Sequence, residues 1–257
     1  MNTNLNLVKE ILNISFRKLC FLYNLPYKKS TFEELINNQN LINNLNKNIQ
    51  KNKIFRTREF NSIYQFYVYR NLLYYFIRET KPEIIIETGV LHGLTTSWIL
   101  QAINDNKFGK LISIDLPRRD WNFYMGSRPF GPGSETEEKE LEDQNPGWII
   151  PKYLKNNWEL VLGPSEVKLE KVCKDIEKVD LFIHDSDHSY KTMKYECDFV
   201  VNKYPNADII IDDFNLNNYT YELLSGNLYS GILIDDVDPN GNIFPSTAFL
   251  KRSKKST

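Results

Sequence analysis

The chain has 257 residues, 41% of them hydrophobic and 25% charged, as in a globular protein with one large domain or one domain with an appendage. Its formal net charge is -1, so no global field favours nucleic acid or an anionic membrane. No apolar run approaches the roughly 18 residues that a bilayer span requires, and the opening MNTNLNLVKEILNISFRKLC has no signal-peptide core.

Residues 1–80 read as a helical region. LVKEILNISFRKLCFLY sets Leu7, Ile11, Ile14 and Leu19 at spacings near three and four, an amphipathic pattern. TFEELINNQNLINNLNKNIQKNK keeps a rough helical period among Asn and Lys and predicts a surface helix. FNSIYQFYVYRNLLYYFIRET, Phe60 to Thr80, predicts a longer helix with a wide aromatic face, which would serve a dimer as well as a monomer core.

From Lys81 the texture alternates. EIIIETG, GKLISIDLP, WELVLG, VDLFIHD and ADIIIDDF read as strands, with helices such as LTTSWILQAIN and SYKTMKYECDFVVNKY between them. Short Ile/Val/Leu runs separated by helices are what a parallel sheet covered on both faces demands. The tail YSGILIDDVDPNGNIFPSTAFLKR predicts two strands joined at Asp238-Pro-Asn-Gly. The expected fold is a doubly wound, Rossmann-like α/β domain over residues 81–257. Its seven-stranded, mostly parallel sheet carries an antiparallel closing strand. One segment, 117–151, is too long for an ordinary connection and predicts a lid or binding loop.

Ligands in such sheets sit outside the carboxyl ends of the strands. There the chain places Glu87-Thr88-Gly89, His92, Asp115, Asp185 and Asp212-Asp213. In the turn ETGVLHG, Gly89 permits a sharp bend and close approach to the backbone, and Gly93 lets a helix start nearby. The dinucleotide pattern GxGxxG is absent, while Asp115 stands where an acid accepts both ribose hydroxyls. Together these residues describe a nucleoside-bearing cofactor without a strong pyrophosphate site, favouring S-adenosylmethionine over NAD.

IIIETGVLHGLTT, ISIDLP, GWIIPKYLKNNWELVLGPS, DLFIHDSDHSY and IIIDDF resemble the class I S-adenosylmethionine-dependent methyltransferases. The nearest group is the metal-dependent macrolide-sugar and related O-methyltransferases, and the likeness runs over roughly Lys81 to Lys251. The resemblance implies that Glu87, Thr88, Gly89 and Gly93 line the methionine end of the cofactor and that Asp115 holds its ribose. Many relatives carry an acid after the third strand, near the adenine. This chain has Gly163-Pro164-Ser165 there, which leaves Ser165 as the donor.

Asp185, Asp212 and Asp213 fall on one rim if the fourth and fifth strands are neighbours. Two like charges at about 4 Å repel by roughly 4 kcal/mol at an effective dielectric near 20, so such a cluster must bind protons, find cations or spread. A divalent metal resolves the conflict, and oxygen ligation suits Mg²⁺. In the resembling sugar O-methyltransferases the metal grips vicinal hydroxyls of the sugar. The base that takes the hydroxyl proton is then His188, whose imidazole titrates near neutrality, or Asp187, the second acid of the D-x-D pair. His184 points the opposite way on an extended strand and reads as a structural hydrogen-bonding group. His92 reads as a contact to cofactor or substrate about as readily as a structural group. Asp235-Asp236 reads as a doublet that caps a strand and begins a turn.

Arg118, Arg119 and Arg128 in the long loop suit a phosphate, and Trp121, Phe123, Tyr124 and Trp148 suit a sugar or base. The expected acceptor is a sugar hydroxyl, with a nucleotide-activated sugar fitting both sets. The acidic run ETEEKELED in the same loop argues mildly against a phosphate and reads as a solvated helix. Three scattered cysteines, Cys20, Cys173 and Cys197, argue for a reducing, cytoplasmic setting. Competing functions are an NAD(P)-dependent oxidoreductase, a non-catalytic binding protein of the same fold, and a metal-dependent phosphoesterase.

Overall fold

The computed structural model describes residues 2–28, 30, 39–51, 67–117, 145–238 and 241–253. Arg118, Arg119 and Arg128 lie outside them, as do Trp121, Phe123, Tyr124 and the acidic run. Among the described residues, helices α1 (Asn2–Tyr23), α2 (Gln39–Lys51) and α3 (Tyr67–Thr80) precede the sheet. An alternating region follows, with β1 (Ile84–Thr88), α4 (Leu94–Asn106), β2 (Lys110–Asp115), β3 (Trp158–Leu162), α5 (Ser165–Cys173), β4 (Leu181–His184), α6 (Tyr190–Lys203) and β5 (Asp208–Asp212). Helix α7 (Tyr219–Ser225) and strands β6 (Tyr229–Val237) and β7 (Ile243–Arg252) complete it. No helix among the described residues is long and apolar enough to cross a membrane.

The sheet order is β3-β2-β1-β4-β5-β7-β6. Strands β1 to β5 pair in parallel, and β7 runs antiparallel between β5 and β6. The strand order reverses between β1 and β4, so the switch point at which ligand is expected falls at the strand ends carrying Gly89 and Asp185.

Alternation along the strands divides the core into two halves, as a strand's period of two requires. Ile85, Ile183, Ile210 and Phe249 pack with the N-terminal helices and α4; Ile86, Phe182, Ile209, Ile211 and Ala248 pack with Met193, Cys197 and Val200 of α6. The helical region is therefore part of the main core. Phe76 of α3 sits edge-on against Phe249 of β7, with ring centroids 6.0 Å apart.

Asp236 corrects one expectation. The doublet lies inside β6, just after an irregularity in the register, and Asp236 is fully buried. Its carboxylate accepts the backbone N–H of Val68 at 3.4 Å, of Tyr69 at 3.0 Å and of Val237 at 2.8 Å. A carboxylate from the sheet thus caps α3, whose first-turn amides have no partner within the helix.

Candidate active site

The turn after β1 is built by crowding. Gly89 has φ +86°, and a Cβ there would lie 1.8 Å from the carbonyl oxygen of Asp185. The close approach expected of a ligand is thus already made by the backbone of the neighbouring strand end. Asp185 N–H donates to the Thr88 carbonyl at 2.8 Å, which ties the two ends together. Gly93, with φ +91°, caps α4; a Cβ there would meet Ile150 and Gly147 at 2.6–2.8 Å. The segment that follows the long loop is therefore docked on this turn. Gly147 N–H donates to the Leu91 carbonyl at 2.9 Å, and the Trp148 indole N–H donates to His92 Nδ1 at 2.9 Å.

Asp115 stands at the end of β2, where its Oδ2 accepts Val90 N–H at 3.0 Å and Leu91 N–H at 2.8 Å. It therefore shapes the same turn that it was expected to serve as a ribose ligand. Glu87 is fully buried and accepts from the hydroxyls of Thr96 at 3.1 Å and Ser113 at 2.6 Å. Burial pushes its pKa up to about 8, against the lowering effect of those hydroxyls.

On the other side of the crevice, one ligand atom each of Asp185, His188 and Asp212 lie within 4.8 Å of one another. Burial raises Asp185 well above the usual carboxylate range, and the charge of Asp212 adds to the rise. Asp212 is pushed to about 7 by burial and by Asp213, although Thr247 donates to it at 3.0 Å. The two carboxyls therefore lie close enough for each to oppose ionisation of the other. Asp213 sits beside this group in a left-handed conformation, φ 48°, with one carboxylate oxygen 3.9 Å from His188 Nε2. Burial also raises its pKa.

The cluster fits a divalent cation. Burial and mutual repulsion raise the pKa of its two central carboxyls, a conflict that positive charge between them would relieve, and the buried His188 Nδ1 has no hydrogen-bond partner. Arg70 of α3 offers partial compensation. It is buried, donates to the Thr95 hydroxyl at 3.5 Å, and is held by the charges of Asp236, Asp212 and Asp185 while burial lowers its pKa to about 10. An arginine in the otherwise buried run VYRNLLYYF was its signal in the sequence.

The two candidate bases differ in employment. Asp187 accepts from the Ser189 hydroxyl at 2.6 Å and the Thr192 hydroxyl at 2.8 Å at the start of α6. Burial opposes ionisation, but these bonds hold its pKa below the usual value. His188 is pushed down to about 4 by burial and by His184, so it is a neutral imidazole near pH 7.

His184 is fully buried, and its Nδ1 bonds Glu196 Oε2 at 2.7 Å, the structural role expected of it. Glu196 itself escaped the sequence reading. It accepts from Thr88 Oγ1 at 2.5 Å and Ser186 Oγ at 2.8 Å, and the hydroxyl of Ser165 also bonds to it. Ser165, expected near the adenine, is thus tied to Glu196 at the first residue of α5.

A family model described as a methyltransferase domain matches residues 86–214, half of the chain. The chain belongs to this family. Solved methyltransferases share its fold. The S-adenosylhomocysteine-bound PaMTH1 of Podospora anserina is 14% identical, with 90% of this chain and 98% of that chain covered and a TM-score of 0.51. The O-methyltransferase TomG of Streptomyces achromogenes, which acts in tomaymycin synthesis and was solved with S-adenosylmethionine, is 16% identical, with coverage of 82% and 90% and a TM-score of 0.52. No curated protein matches in sequence. The class I methyltransferase fold expected from the motifs is thus present, and its seven-stranded sheet carries the expected antiparallel strand, β7, between β5 and β6.

Proposed function

We propose that this methyltransferase transfers the methyl group of S-adenosylmethionine to a sugar hydroxyl, with a nucleotide-activated sugar as the acceptor and a divalent cation, Mg²⁺, orienting it. The observation that carries the reading is the convergence of Asp185, His188 and Asp212 across the switch point from the glycine turn. In this reading Glu87, Thr88, Gly89 and Gly93 surround the methionine end, with Glu87 acting through the buried turn, Asp115 takes the ribose, and Ser165 borders the adenine.

Asp185, Asp212 and Asp213 would hold the cation, which when bound lowers the pKa of an acceptor oxygen. Bound S-adenosylmethionine would supply an electrophilic methyl group to the acceptor oxygen, its sulfur keeping the electron pair of the broken carbon–sulfur bond. His188 takes the hydroxyl proton. It is preferred to Asp187, whose carboxylate is engaged in holding α6. Arg118, Arg119 and Arg128 are proposed to take the phosphate, in a cytoplasmic enzyme with a small-molecule acceptor.

A second arrangement is favoured by the same geometry: His188 belongs to the group of three and Asp213 does not. His188 would then be a ligand, and a mixed N,O set shifts preference toward metals that accept imidazole. Metal titrations of Asp213→Ala and His188→Ala separate the two, because only loss of a ligand weakens metal binding strongly.

The test is mass spectrometry of reactions containing S-adenosylmethionine, Mg²⁺ and a panel of nucleotide sugars, with and without chelator. One added methyl that disappears with chelator is the expected result. Methylation that ignores chelator removes the cation, and failure across the panel removes the sugar.

A further inference from the structure

We propose that Glu196 is the positioning residue of the acid site. It clamps both chain neighbours of Asp185 and so fixes where that carboxylate points. The inference rests on the reading of Asp185 as a cation ligand and goes beyond it.

Glu196 occupies the buried stripe of α6 with Thr192, Met193, Cys197 and Val200, where helical spacing calls for an apolar side chain. Placing an ionised carboxylate there costs stability unless it is fully hydrogen-bonded. Glu196 has those bonds, and their distribution is the point. Oε2 accepts from His184, the residue before Asp185, and Oε1 accepts from Ser186, the residue after it. Oε2 also accepts from Thr88, whose carbonyl receives the Asp185 amide. Gly89 packs against the carbonyl of Asp185 itself. The backbone of Asp185 is thus held through its neighbours by one carboxylate and directly by the end of β1.

The charge is needed as well as the shape. A carboxylate accepts from Thr88, His184, Ser186 and Ser165 together, whereas a glutamine oxygen has two lone pairs and its amide would face a donor. Burial works against the charge of Glu196, but His184 and the hydroxyls outweigh it and keep its pKa below the usual value. His184 Nδ1 faces Glu196, and its Nε2 is buried without a hydrogen-bond partner. The ring of His184 stands edge-on to His188, with centroids 5.5 Å apart at 90°, so the clamp also bears on the proposed base.

The experiment uses the full chain and Mn²⁺ as a paramagnetic probe, with affinity read by electron paramagnetic resonance. Thermal unfolding and S-adenosylhomocysteine calorimetry are run in parallel. Glu196→Gln is expected to weaken Mn²⁺ binding on the order of 10–100-fold, the usual effect of losing an outer partner of a ligand, with a much smaller change in S-adenosylhomocysteine affinity. Glu196→Asp, which retains the charge, recovers part of the loss. Ser186→Ala removes one arm of the clamp and weakens Mn²⁺ in the same direction; it decides the matter if Glu196→Gln does not fold. Wild-type Mn²⁺ affinity in both variants overturns the inference while leaving the cation reading intact. No Mn²⁺ binding by the wild-type chain overturns both.

Discussion

A methyl group added at Gly89 would collide with the Asp185 carbonyl, on a backbone whose φ of +86° already disfavours any side chain. Gly89→Ala is expected to cost on the order of 1–3 kcal/mol by overpacking and to weaken S-adenosylhomocysteine binding, as thermal unfolding and calorimetry would report. Glu87 gives a pH signature. Its pKa is about 8 in the folded protein against an ordinary 4.5, so between those values the folded state keeps a proton that the unfolded chain releases. Its contribution to stability is complete below pH 4.5 and is lost as pH rises through about 8. Glu87→Gln should flatten the fall in stability across that window, a slope of about 1.4 kcal/mol per pH unit for one proton, measured by urea unfolding at a series of pH values. Some residues were legible and some were not. Asp185 and Asp212 announce themselves by ending apolar strands. Glu196 is visible only as a charge in an apolar stripe, and nothing local says that its partners lie on β1, β4 and α5.

At the scale of elements, the strands were read easily because parallel strands buried on both faces leave unbroken Ile, Val and Leu runs. The partner of Asp236 was hidden, since it caps a helix 167 residues away in sequence. Asp236→Ala should destabilise the protein by about 1–3 kcal/mol, the cost of leaving buried donors unsatisfied. A drop in the urea midpoint with unchanged slope would bear this out; an unchanged midpoint would show that water serves α3 equally well. The docking of residues 147–150 on the β1 turn was likewise beyond the sequence. Apart from the Trp148–His92 bond, its contacts are backbone hydrogen bonds and the fit of two glycines, which have no side-chain pattern to read.

For the whole molecule, the order in which strands pair places two close carboxyls, Asp185 and Asp212, in the centre of the sheet's carboxyl edge. A cation that binds only the folded chain raises stability by mass action, about 2.7 kcal/mol at one hundred times its dissociation constant. Mn²⁺ should therefore raise the unfolding temperature of the wild-type chain and leave that of Asp185→Asn unchanged; equal shifts in both would place the ion elsewhere. Strand β7 sets the timing of all this. Among the described residues it is the last strand in sequence, yet it lies inside the sheet, pairs with β5 and supplies Thr247 to Asp212. A nascent chain on the ribosome can assemble the parallel strands β1 to β5 while Asp212 still faces an open edge. The surroundings of Asp212 are therefore complete only once that hairpin has zipped onto β5.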